Sequence, residues 1–65
     1  MFTNREIRDV LSGLLEKDVE AAVITLTEMQ SAGHIKSFQT FNKNSFLDKI
    51  VVFMDGVKVT LEKNG

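Results

Sequence analysis

One histidine, nine carboxylates and a scatter of hydroxyls are all this chain offers for proton transfer, nucleophilic attack or metal binding. His34 has no second histidine and no cysteine to share a metal with, and a catalytic or structural ion needs three or four such donors. Its place just after Gly33 instead suits a helix C-terminus, where a partly positive ring meets the negative end of the dipole. Among the acids, Asp9, Glu16 and Glu20 could gather around a helical turn. Glu6, Asp18 and Asp55 suit capping and turn positions, and the others alternate with basic residues as a solvated surface does. A working carboxylate pair also needs a cleft, and a pocket of roughly 300 Å³ is hard to carve from so small a core. The serines and threonines have no neighbouring base, nucleophile elbow or phosphate-binding glycine loop. The expectation is therefore no catalytic residue, no metal, no cofactor and no enzyme.

The elements that would carry a site are easier to read. Thr3-Asn4-Arg5-Glu6 has the spacing of a capping box. Ile7, Val10, Leu11, Leu14 and Leu15 follow at the amphipathic helical period. Gly13 costs that helix up to about 1 kcal/mol relative to alanine, which a close helix–helix approach would explain. Asp18 suits the N-cap of a second helix running from Val19 to near Ala32, with Gly33 as its left-handed C′ residue. Its stripe is Val19, Ala22, Val23, Leu26 and Met29, and Ile24 beside Ala21 widens the apolar arc toward a second surface. The period then changes. Residues 35–41 suit a strand and 42–45 a loop, although 45–49 could also form a helical turn. Asp55-Gly56 between two apolar runs predicts a hairpin with a type I′ turn. Its register pairs Met54 with Val57, Val52 with Val59 and Ile50 with Leu61 on one face. Phe53 with Lys58, Val51 with Thr60 and Lys49 with Glu62 lie on the other. For the first strand, a four-residue loop would put Ile35 on the core face and turn Phe38 outward, and a one-residue bulge would reverse that choice.

The expected fold is thus α+β, a single domain over 1–65: two N-terminal helices packed on one face of a small antiparallel meander, ααβββ. At 65 residues with no cysteine, the core is marginal and gains no disulfide. Self-association is the remaining helper for such a core. The N-terminus does not read as a signal peptide, and no run approaches the roughly 20 apolar residues of a membrane span. A cytoplasmic location is expected.

Two features bear on nucleic acid. A helix pair followed by a hairpin, with Leu26 to Ile35 as the passage between them, resembles a reduced winged helix, which implies DNA or RNA as partner. Helix two departs from that pattern, for it has no Lys or Arg and carries Glu20 and Glu28, which repel phosphate. The third helix of such folds is also missing. The second feature is Lys36 to Phe46, where aromatics interleave with basic and amide residues. Exposed, these rings could stack on single-stranded bases; burial as core aromatics is the expectation.

What remains is the outer face of the hairpin. If the helices cover Ile50, Val52, Val57, Val59 and Leu61, then Val51 and Phe53 stay exposed with Lys58 and Thr60 as a rim. Small apolar patches with polar rims mark interaction surfaces. The functional expectation is a non-enzymatic protein–protein interaction or regulatory module, with a second copy as one possible partner and a homodimer as the form. Val51, Phe53, Lys58 and Thr60 are its expected partner-binding residues. Nucleic-acid binding is the alternative.

Overall fold

The computed structural model describes residues 3–44 and 46–63. Helix α1 spans Asn4–Leu14. Its capping box is complete: the Glu6 N–H donates to Thr3 Oγ1 at 3.2 Å, and the Thr3 N–H donates to Glu6 Oε1 at 2.9 Å. That backbone donation, backed by the Thr3 side chain, holds the Glu6 carboxyl below the ordinary carboxylate range. Ile7, Leu11 and Leu14 form the buried stripe, and Leu15 extends it. Gly13 does not sit at a close helix approach. Nothing lies within 4 Å of where its Cβ would be, because the helix turns that residue toward solvent.

Helix α2 spans Val19–Ser31, capped by Asp18, whose Oδ1 accepts from the Ala21 N–H at 2.8 Å. Its end is a full Schellman motif. The His34 N–H reaches Met29 O at 2.9 Å, the Gly33 N–H reaches Gln30 O at 3.1 Å, and Gly33 takes a φ of 82°. Ala22, Leu26 and Met29 are buried. Ile24, expected to widen the buried arc, is 56% exposed. It lies about 180° around the helix from that stripe, beyond the reach of any neighbouring element.

Three strands follow as an antiparallel meander in the order β1 (Ser37–Lys43), β2 (Phe46–Met54), β3 (Val57–Glu62). The architecture is ααβββ, as the periodicities require. The β2–β3 register has Val52 opposite Val59, Ile50 opposite Leu61 and Phe53 opposite Lys58, the pairing read from the Asp55-Gly56 turn. The turn itself differs from type I′. Only Gly56 has a positive φ, 68°, so glycine is needed at the second position alone. Asp55 avoids the left-handed region, which costs an L-residue about 1 kcal/mol or more.

Strand β1 starts two residues later than expected and runs on to Lys43, so the connection is shorter than the predicted loop and no helical turn forms over 46–49. Its register with β2 slips once. Phe41 pairs with Lys49, but Asn42 pairs with Leu47, leaving Asp48 as an extra residue on β2. This bulge reverses the facing of everything before it on the strand. Leu47 enters the core at 1% exposure, and Phe46 goes to the opposite face at 62%. Phe38 pairs with Val52 and packs against the core. Ile35 is buried as well; it precedes the strand and escapes the alternation that would have set it against Phe38. The core joins the stripes of both helices to Leu47, Ile50, Val52 and Val59. Gln30 Nε2 donates to Lys36 O at 2.9 Å, tying α2 to the start of the sheet. Among the described residues, no helix is long and apolar enough to cross a membrane.

Candidate functional site

The helices occupy one side of the sheet, and among the described elements none covers the other. On it β1 contributes Ser37, Gln39, Phe41 and Lys43; β2 contributes Phe46, Lys49, Val51 and Phe53; β3 contributes Lys58, Thr60 and Glu62. Three phenylalanines therefore share this face, and each has a lysine directly across the ladder. Phe41 faces Lys49, Phe46 faces Lys43, and Phe53 faces Lys58. Phe41 and Phe46 are exposed and Phe53 is half-buried. The Lys49 ammonium lies 5.3 Å from the Phe41 ring centre, and that of Lys63 lies 5.8 Å from the Phe46 ring centre. Both are within the range of a cation–π attraction.

The four residues expected to bind a partner lie on this face, but their exposure is not as expected. Val51 is only 6% exposed while standing outside the core cluster. It sits mid-strand at the centre of the sheet, with Gln39 and Thr60 directly opposite on either side. Phe53 and Thr60 are half-buried and Lys58 is exposed. Val51 is thus a floor, and the phenylalanines that share its face stand more exposed than it does. Burial, the expectation for Phe41 and Phe46, does not hold. They are the most exposed apolar groups on this face, since alternation puts Phe41 there and the bulge adds Phe46. The sequence does carry a sign of this: buried Leu47 and Ile50 are three apart, a spacing no regular strand gives two residues of one face.

The arrangement offers little chemistry. Among the described residues no group of three His, Asp or Glu side chains could hold a metal ion. His34 is half-buried beside a hollow of about 230 Å³ that Asn4, Lys36 and Asp55 also line. There Lys36 Nζ meets Asp55 Oδ1 at 2.7 Å, with both side chains largely in solvent. The hydrogen bond to Asp55 raises the Lys36 pKa. Among the described residues, no serine, threonine or cysteine lines that hollow. The face can do something else: bury rings against an apolar surface while its lysines meet carboxylates. Comparison of the chain with family models, with curated proteins and with solved structures returns no match.

Proposed function

We propose that this chain is a small non-enzymatic protein-interaction module, of a regulatory or assembly kind, whose working surface is the open face of the sheet. The observation that carries the reading is that Phe41, Phe46 and Phe53 share this face with Val51, each ring with a lysine opposite. Exposed aromatics gathered on one face are costly to leave in water and form the usual anchors of protein interfaces. The lysines set the partner's chemistry: an apolar contact with carboxylates around it. Such a surface would desolvate the rings and complete the ion pairs at the rim.

Panning a random peptide library against the protein tests this. The expected binders are rich in leucine or aromatic residues and in Asp or Glu. Phe41→Ser and Phe46→Ser should each weaken them at least tenfold with unchanged circular dichroism. Basic binders, or binders indifferent to both substitutions, would overturn the reading.

A further inference from the structure

We infer that the occupant of the open sheet face is a second copy of this chain, seated through the outward side of its α2, so that molecules stack head to tail. This rests on the open face being the working surface and adds the identity of the partner. The face asks for an apolar contact bordered by carboxylates, and α2 presents one. Ile24 lies opposite the buried stripe, with Glu20 one turn before it and Glu28 one turn after. Only four large apolar side chains are exposed among the described residues, and Ile24, Phe41 and Phe46 are three of them. No Lys or Arg occurs between Val19 and Ser31. The charge of the whole chain divides the same way. Before Gly33, three basic side chains stand against six acidic ones; after it, five lysines stand against three acids.

Geometry selects the mode of association. Pairing the sheet face with itself would bring two sets of Lys43, Lys49 and Lys58 into one interface, and like charges across an interface are costly. Pairing it with α2 sets them against Glu20 and Glu28. The two surfaces lie on opposite sides of a two-layer molecule, so the contact is heterologous and repeats as an open stack instead of closing into a symmetric pair. Nucleic acid fits the face less well. Ammonium groups already lie over the Phe41 and Phe46 rings on which bases would stack, Glu62 shares the face, and the chain has no arginine after Arg8.

Sedimentation velocity on the whole chain, from about 10 μM to about 1 mM, covers the range in which a small interface dissociates. The expected result is a mass that climbs past the dimer with concentration. Glu20→Lys with Glu28→Lys should weaken assembly at least tenfold, and Lys43→Glu with Lys58→Glu should do the same. All four positions are exposed, so circular dichroism should not change; if the helix variant loses helicity, Ile24→Ser replaces it. Mixing the two charge variants should restore assembly that neither shows alone, because each then meets its complement. A wild type that stays monomeric throughout overturns the inference, as does a helix variant that assembles normally. Saturable, salt-sensitive binding of an oligo(dT) probe that Phe46→Ser abolishes would also overturn it. If assembly fails while acidic peptides still bind the sheet face, only the identity of the partner is lost. If both fail, the working surface itself is wrong.

Discussion

Gly13 shows how a single residue can be misjudged from its neighbours. A glycine inside an amphipathic helix suggests that something packs against it, yet this one faces open solvent, with nothing within 4 Å of where a Cβ would stand. Its φ is not in the left-handed region, so alanine meets neither a clash nor strain. Gly13→Ala should therefore raise stability by about 0.5 to 1 kcal/mol, through the smaller entropy of the unfolded chain. Urea melts of the two proteins check this; any loss of stability would mean that the backbone there is needed in a conformation alanine resists. Gly33 and Gly56 are different. Their φ values of 82° and 68° make them conformational requirements, and both are legible from position alone, one after a helical stripe and one in a two-residue turn.

At the scale of elements, the bulge at Asp48 decides what the sheet displays. Strict alternation back from Ile50 would place Phe46 in the core and Leu47 in solvent. The extra residue reverses both, and the Lys63 N–H donating to Asp48 O at 2.8 Å ties the following chain to the bulge. Truncations should report this reversal. Leu47→Ala should cost about 2–5 kcal/mol, as a buried leucine does, whereas Phe46→Ala should stay within about 1 kcal/mol. Thermal melts giving the opposite order would mean that the strand runs without its bulge. The bulge also defines the candidate site, since without it Phe46 would not join Phe41 and Phe53 on the open face.

For the whole molecule, what matters is a layer of helices with an acidic excess and a layer of strands with a basic one, in a body only 15 Å across its shortest axis. A net charge of −1 conceals that division. In the proposed stack, contacts between the layers of neighbouring molecules would join opposite charges at exposed positions, where salt screens within about 8–10 Å. Raising NaCl from about 50 mM to about 500 mM should therefore shift the assembled species toward monomer. Sedimentation in the two buffers would show it. Assembly that strengthens with salt would place the contact on apolar surface alone and leave the carboxylates of α2 without a part in it.

The sequence by itself determined the two helices with their caps, the β2–β3 register and the class of fold. Each of these is set within a few residues: a hydroxyl or carboxylate three positions before an orphan N–H, a stripe at helical spacing, a two-residue turn that fixes all pairs behind it. Tertiary structure decided which way the rings face. Phe38, Phe41 and Phe46 lie on either side of a register slip whose position depends on how β1 and β2 settle over one core, and moving it by a residue exchanges their faces. The same holds for Val51 and Ile24. Val51 is buried in the middle of the central strand, opposite Gln39 and Thr60, which only the folded sheet brings beside it. Ile24 is exposed because no second element reaches the far side of α2.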